Sequence, residues 1–125
     1  MPPRKSLAID PAPHLQRFKV TEHAIQNAIL AQLKAAGLFV WRQNTGMARD
    51  PRNGAMVTFG LVGQGDITGI LPGGRRLEIE CKRPDGKLTD AQREFGDRVV
   101  ADGGLYVVAR DVRTTVDLVL KAARQ

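Results

Sequence analysis

A Pro-Gly-Gly turn at residues 72–74 constrains the fold of this 125-residue chain more than any other sequence feature. It separates two strand-like runs, residues 66–71 and 76–82, and tight glycine-containing turns of this kind typically join antiparallel strands. We therefore predict a β-hairpin. In that pairing the start of the first strand lies beside the end of the second, so we expect Asp66 to lie near Glu80.

Helical and strand patterns on either side of the hairpin predict a mixed α/β domain. Thr21 is a suitable N-cap for a first helix, and Gly37 is its natural end. The further predicted elements are strands over 38–42 and 105–109 and helices that begin at Thr89 and Val112. The order α-β-β-β-α-β-α indicates a mixed four-stranded sheet flanked by helices, which is classed as α/β or, in some schemes, α+β.

The stretch from residue 45 to residue 65 is predicted to be mostly loop. It is rich in glycine and contains Pro51, and only residues 55–59 have the composition of a short strand. A loop of this length in a compact domain is usually functional or mobile.

The predicted elements form a single domain over residues 21–125, preceded by a leader. Residues 1–20 hold four of the seven prolines and show no amphipathic periodicity. Proline suits extended, poorly ordered backbone, so we expect a flexible Pro-rich leader.

Composition excludes several classes of protein. Cys81 is the only cysteine, so no internal disulfide can form, and with only His14 and His23 it cannot complete a structural zinc finger. Ser6 is the only serine and lies in the leader, which argues against a serine hydrolase. No apolar run is long enough to span a bilayer, no secretory signal is evident, and the glycines do not match a nucleotide-binding motif. We therefore expect a cytoplasmic protein with no membrane partner and no nucleotide cofactor.

The charge balance favours a polyanionic partner. The chain holds 19 Lys and Arg residues against 13 Asp and Glu residues, for a formal charge of +6, and 13 of the basic residues are Arg. Such an excess is typical of proteins that bind nucleic acid, although it also serves solubility alone.

One face of the second hairpin strand carries three charged residues. Alternate residues of a strand share a face, so Glu78, Glu80 and Lys82 point the same way. Unpaired buried charge is costly, and carboxylates with bound water are what Mg²⁺ prefers, so a metal held by Glu80 and Asp66 would offset the acids. Such a metal can polarise a phosphodiester, while Lys82 holds or deprotonates the attacking water. A cross-strand salt bridge between Lys82 and the acids is the alternative.

Two residues on the predicted helices could join this site. Glu22 continues the apolar stripe that faces the sheet and could act through a metal-bound water, or it could simply favour the helix dipole. Gln92 forms a capping box with Thr89, yet its helix follows the Lys82 strand, so it could instead orient water or a phosphate. We treat these two roles as competing for one side chain.

Taken in order, these residues resemble the VRR-NUC (virus-type replication-repair nuclease) family of the PD-(D/E)XK nuclease superfamily, in its stand-alone form. The resemblance covers residues 21–108 and rests on Glu22, Arg42-x-Asn44-x-Gly46, Gly65-Asp66, Glu80-Cys81-Lys82 and Leu88-Thr89-x-x-Gln92. It implies a restriction-endonuclease-like core in which Asp66, Glu80 and the backbone carbonyl of Cys81 bind the metal. Lys82 would be the catalytic lysine, with Glu22 and Gln92 completing the site. The first acid follows Gly65 here, whereas the superfamily name has proline.

The resemblance implies an Mg²⁺- or Mn²⁺-dependent endonuclease of a bacterial or phage-infected cell that acts as a homodimer on branched, Holliday-junction-like DNA. Arginine suits bidentate phosphate contact, and asparagine adds neutral contacts. The residues expected to bind DNA are Arg42, Asn44, Arg49, Arg52, Arg83 and Lys87, with Arg75 and Arg76 as further basic residues around the site. A non-catalytic DNA-binding module and a structural protein with ordinary salt bridges remain the alternatives.

Overall fold

The structure is a computed structural model that describes residues 6–13, 20–43 and 46–125. Within these ranges the elements follow the order α1 (Glu22–Ala35), β1 (Phe39–Arg42), β2 (Gly46–Arg49), β3 (Met56–Phe59), β4 (Ile67–Ile70), β5 (Arg76–Cys81), α2 (Asp90–Ala101), β6 (Leu105–Ala109) and α3 (Val112–Ala123). No helix in these ranges is long and apolar enough to cross a membrane.

The main sheet has four strands in the order β1-β4-β5-β6. Strands β4 and β5 form the predicted antiparallel hairpin, with Ile67 opposite Ile79. Strand β1 pairs antiparallel with β4, and β6 pairs parallel with β5 after the crossover through α2. The predicted fold class, a mixed four-stranded sheet flanked by helices, is therefore confirmed.

The two faces of the sheet are covered by different helices. Helices α1 and α3 pack on one face and form the apolar core, whose buried members include Ile25, Ile29, Leu33, Ile67, Leu77, Ile79, Cys81, Val116 and Val119. Helix α2 packs on the opposite face against β5 and β6. Gly96 permits this close approach, because a Cβ atom there would lie 2.8 Å from the ring of Tyr106.

A second hairpin occupies much of the stretch predicted as loop. Strands β2 and β3 pair antiparallel with Met47 opposite Thr58, and the turn closes with a 2.7 Å hydrogen bond from Asp50 N–H to the carbonyl of Ala55. Strand β3 falls within the predicted residues 55–59, but the prediction of loop at β2 was wrong. Glycine and proline signal a loop, whereas these short strands form because each satisfies the other's backbone groups.

Part of the predicted flexible leader lies along the outer edge of β6. The N–H of Ile9 donates to the carbonyl of Tyr106 at 2.9 Å, and the carbonyl of Ile9 accepts from Val108 N–H at 2.8 Å. The stretch around Ile9 is thus joined to the sheet by two backbone hydrogen bonds, because β6 offers unpaired backbone groups at this edge. The rest of the leader includes residues 1–5 and 14–19, which lie outside the described residues.

Candidate active site

Asp66 and Glu80 meet at the open end of the β4–β5 hairpin. Because Ile67 lies opposite Ile79, the register brings Asp66 opposite Glu80, on the face covered by α2. The backbone N–H of Cys81 donates to Oδ2 of Asp66 at 2.7 Å and holds that carboxylate beside β5. The predicted proximity of the two acids is therefore confirmed.

The electrostatics of this pair favour a bound cation. Glu80 is only 5% exposed, and burial, followed by the charge of Asp66, raises its pKa from the ordinary 4.5 to about 8. Burial also raises the pKa of Asp66, although the hydrogen bond from Cys81 acts in the opposite direction. Ionising both carboxyl groups at once is therefore costly, because the nearby cations do not offset their burial and mutual repulsion. A divalent ion would relieve both the desolvation and the mutual repulsion.

Lys82 lies next to this pair without neutralising it. The charge of Lys82 lowers the pKa of both Glu80 and Asp66, so the ammonium lies within electrostatic reach. Among the side chains that the structure describes, however, the ammonium makes no ion pair within 4.0 Å to either acid. The alternative of an ordinary cross-strand salt bridge therefore has no support in the geometry.

Gln92 caps α2 and also contacts the candidate site. Its Oε1 accepts from Thr89 N–H at 2.9 Å, which completes the capping box of α2. Its Nε2 donates to Oε1 of Glu80 at 2.7 Å. The cap and this contact coexist because the two ends of one amide point in different directions, while the orientation of water or a phosphate by Gln92 stays a prediction. The helix cap thereby fixes the orientation of Glu80.

Glu22 lies at the same end of the sheet but at its rim. Its side chain is exposed, and its Oε1 accepts from the backbone N–H of Arg83 at 3.0 Å. Its charge raises the pKa of both Asp66 and Glu80, which places it within electrostatic reach of the pair. The contact that Glu22 makes in the structure is with the backbone that follows Lys82.

Cys81 contributes backbone rather than side chain to this end of the sheet. Its thiol is buried in the apolar core, where burial raises its pKa and keeps it protonated. Its N–H points toward β4 and donates to Asp66. The N–H and C=O groups of one strand residue point to the same edge, so the carbonyl of Cys81 faces the Asp66 side as well.

Glu78, the other acid on this face, is neutralised by the protein itself. It is fully buried, and Oε1 lies 2.8 Å from Nη2 of Arg76, while the hydroxyl of Thr68 lies 3.1 Å from both carboxylate oxygens. Gly65 allows the chain to pass, because a Cβ atom there would lie 2.9 Å from Oε2 of Glu78. The two acids predicted to share this face therefore differ: Glu78 forms an ion pair with Arg76, whereas Glu80 forms none with the described residues.

Arg75 and Arg76 do not surround the site. They lie at the turn end of the hairpin, where Arg76 pairs with Glu78 and Arg75 Nε donates to the carbonyl of Gly103 at 3.1 Å. The expectation that they flank the site was wrong, because the hairpin places them at the start of β5, whereas Glu80 lies near its end. A cavity of about 340 Å³ also lies at that far end, beside Arg76 and Gly103.

Tyr106 is a buried polar residue at this face that the sequence analysis missed. It is fully buried on β6 opposite Glu78, and its hydroxyl has no hydrogen-bond partner in the described part of the chain. Burial, followed by the charge of Glu80, raises the pKa of Tyr106. The only sequence signal was a tyrosine, the single one in the chain, within an apolar strand.

The residues expected to bind DNA occupy three regions. Arg42 ends β1, beside the start of β4, and donates to Asn27 Oδ1. Arg49 and Arg52 lie on the β2–β3 hairpin, where Arg49 Nη1 donates to the carbonyl of Gly54 at 2.9 Å and Arg52 pairs with Asp50 at 3.1 Å.

The other candidates follow β5. Arg83 and Lys87 are exposed in the loop between β5 and α2. Asn44 lies outside the described residues. The described candidates therefore fall into three regions, of which the Arg42 strand end and the loop after β5 lie at the Asp66–Glu80 end of the sheet.

The carboxylates of this site fit a magnesium-type ion in number. Within residues 6–13, 20–43 and 46–125, no three His, Cys, Asp or Glu side chains form a metal-binding group. Mg²⁺ needs only one or two carboxylates because it keeps several waters, and Asp66 and Glu80 supply that number.

Comparisons with known proteins add no relative. Neither the protein-family models nor the curated proteins searched gave a match to this chain.

Proposed function

We propose that this protein is an Mg²⁺- or Mn²⁺-dependent endonuclease that hydrolyses phosphodiester bonds in DNA. One observation carries the proposal: Asp66 and Glu80, the residues just beyond the Ile67–Ile79 pair, lie close together beside Lys82 in a buried setting that raises the pKa of both. Two carboxylates held close together in a buried setting are costly to ionise unless a cation binds them. A lysine within electrostatic reach, unpaired with either acid, is then free to act on a substrate.

Asp66 and Glu80 would hold the metal, with the backbone carbonyl of Cys81 as a further ligand. Each is oriented before any ion arrives: the N–H of Cys81 holds Asp66, and the amide of Gln92 holds Glu80. When bound, the ion polarises the phosphodiester and makes a bound water more acidic. Preorganised ligands lower the cost of binding because few rotamers remain to be fixed.

Lys82 would act on the attacking water or on the charge of the phosphate. Its backbone is anchored by a 2.9 Å hydrogen bond from its N–H to the carbonyl of Ala109, so its side chain begins at a fixed position. From there the amine can hold the water, accept its proton, or donate to a phosphate oxygen. Glu22 lies at the rim of the site, where its carboxylate accepts a hydrogen bond from the N–H of Arg83, the residue that follows Lys82.

Branched or Holliday-junction-like DNA is the proposed substrate, and a homodimer the proposed active form. The formal charge of +6 supports a polyanionic partner, and the exposed Arg83 and Lys87 lie in the loop that directly follows the catalytic strand. The choice of branched DNA and of a dimer rests on the resemblance to the stand-alone nucleases. Two copies would supply two sites for paired nicks.

A non-catalytic DNA-binding module is the second candidate. The observation in its favour is that Arg49 and Arg52 lie on the β2–β3 hairpin, which forms a sheet separate from the one that holds the acids. Such a module would bind DNA in a salt-sensitive way even after Asp66, Glu80 and Glu22 were neutralised.

A cleavage panel tests the proposal. Labelled junction, flap, linear duplex and single-stranded DNA would be incubated with Mg²⁺ or Mn²⁺ and with wild-type, Glu80→Gln or Lys82→Ala protein. Lys121→Ala, a change at an exposed lysine of α3, is the matched control for Lys82. We expect metal-dependent cleavage by wild type and the control, a preference for the junction, and no cleavage by the other two variants. Full activity in both site variants would refute the proposal.

A further inference from the structure

The N-terminal segment brings an acidic residue to the end of β6. Ile9 is bound to β6 through Tyr106 and Val108, and the N–H of Leu7 donates to Oδ1 of Asp97 in α2 at 2.9 Å. These three hydrogen bonds, two to backbone and one to a side chain, fix the path of residues 7–9. Asp10, the next residue, is thereby placed beside Arg110, which directly follows β6.

All three nitrogens of the Arg110 guanidinium donate hydrogen bonds, and these connect Asp10 of the N-terminal segment with the loop after β5. Nε and Nη2 donate to the two carboxylate oxygens of Asp10 at 2.7 and 3.1 Å. Nη1 donates to the carbonyl of Arg83 at 2.6 Å and to that of Pro84 at 3.1 Å. Its side chain is only 11% exposed, so solvent does not displace these contacts readily. The planar fork of arginine suits such a multiple contact, which lysine could not reproduce.

The carbonyls that Arg110 holds belong to the backbone immediately after Lys82. The N–H of Lys82 donates to Ala109, and the N–H of Arg83 donates to Glu22. Arg110 then binds the carbonyl of Arg83. The main chain is therefore fixed both before and after the Lys82–Arg83 peptide, and the last of these contacts depends on Arg110.

We propose that Arg110 is a positioning residue for Lys82, and that Asp10 of the N-terminal segment orients it. The inference rests on the proposed function, because it takes Lys82 as the catalytic amine. Asp10 holds the guanidinium, the guanidinium holds the loop of residues 83–84, and this loop fixes where the Lys82 side chain begins. The N-terminal segment is then part of the scaffold of the active site. The same loop carries Arg83, a proposed DNA contact, so loss of Asp10 or Arg110 should lower the rate of the chemical step and also weaken binding of DNA to a smaller extent.

Two measurements on the full-length Asp10→Ala variant test the inference. Hydrogen exchange followed by mass spectrometry, without metal or DNA, should show faster exchange in peptides that cover residues 82–88. Cleavage kinetics should show kcat lowered about 10-fold, as expected for a misplaced catalytic group, with a smaller rise in KM because Arg83 lies in the same loop. Asp10→Glu, which keeps a carboxylate at this position, should show nearly wild-type hydrogen exchange over residues 82–88 and nearly wild-type kcat. Asp102→Ala removes a solvent-exposed Arg–Asp pair of the same 2.7 Å length at the C-terminal end of α2 and should change neither the exchange nor the kinetics.

The outcomes separate the two proposals. Unchanged exchange over residues 82–88 in Asp10→Ala overturns the positioning role, whatever the activity. Faster exchange with wild-type kcat also overturns it, because the contact would then be only structural. A wild-type protein that cleaves no DNA refutes the nuclease proposal, and the exchange experiment then decides by itself whether Asp10 and Arg110 fix the backbone after Lys82.

Discussion

Gln92 donates a 2.7 Å hydrogen bond from its amide nitrogen to Oε1 of Glu80 while its amide oxygen caps α2. The first turn of a helix is thereby tied to a buried carboxylate at the end of a strand. A change at Gln92 should therefore affect both the stability of α2 and the state of Glu80, and the two effects can be separated by the choice of substitution.

Gln92→Glu should keep the cap and lose the contact with Glu80. A glutamate can still accept from Thr89 N–H, as in a standard capping box, but it cannot donate to Glu80 and adds a negative charge beside it. We expect cleavage to fall about 10- to 100-fold, and metal-free stability to fall more at pH 8 than at pH 6. Thermal unfolding at both pH values measures the second effect. Equal losses at the two pH values would contradict it.

The metal-free protein should become less stable as the pH rises. Burial and the neighbouring Asp66 raise the pKa of Glu80 from 4.5 to about 8, so between these values the unfolded chain is ionised while the folded protein keeps the proton. The stabilisation is complete below the unfolded-state pKa of 4.5 and is lost as the pH rises through the folded-state pKa of about 8. We expect Tm to fall by roughly 3–10 °C across this window. Glu80→Gln should flatten the dependence, and an unchanged slope in that variant would assign the effect to other groups.

Removing Arg76 should destabilise the fold without abolishing the metal site. Arg76→Met would leave Glu78 buried without its counter-charge, at a cost of about 2 kcal/mol in the free energy of unfolding after allowance for the exposure of the arginine. Arg76→Met combined with Glu78→Gln should recover most of that loss, because no unpaired charge then remains. Urea denaturation of the three proteins measures the difference. A double variant no more stable than Arg76→Met alone would show that the loss of stability does not come from breaking the ion pair.

Tyr106→Phe should stabilise the metal-free protein slightly. The hydroxyl is buried and has no partner among the described residues, so its removal should raise the free energy of unfolding by about 1 kcal/mol. Denaturation at a pH near 6 is the appropriate measurement. A loss of stability would instead indicate that a buried water satisfies the hydroxyl.

The main sheet and the pairing of the acids could be predicted because both depend on local sequence. The turn at residues 72–74 sets the register of the hairpin, and that register alone brings Asp66 opposite Glu80. Strand alternation also separated the core residues of β5 from its charged ones.

The features that escaped prediction depend on contacts between distant segments. The two-sided role of Gln92 requires the packing of α2 on the sheet, and the neutralisation of Glu78 by Arg76 requires their rotamers. The attachment of Ile9 to β6 requires knowing which strand lies at the edge. None of these leaves a periodicity or a motif in the sequence.

Calorimetric titration with Mn²⁺ near pH 8 tests the metal site most directly, since it needs no substrate. Glu78→Gln, a change two residues away on the same face of β5, is the matched control for Glu80→Gln, with folding of each variant confirmed by thermal unfolding. We expect one binding event in wild type and in Glu78→Gln, and an affinity at least about 10-fold weaker in Asp66→Asn and Glu80→Gln. Equal binding in all four proteins, or none in wild type, would contradict a metal site at Asp66 and Glu80.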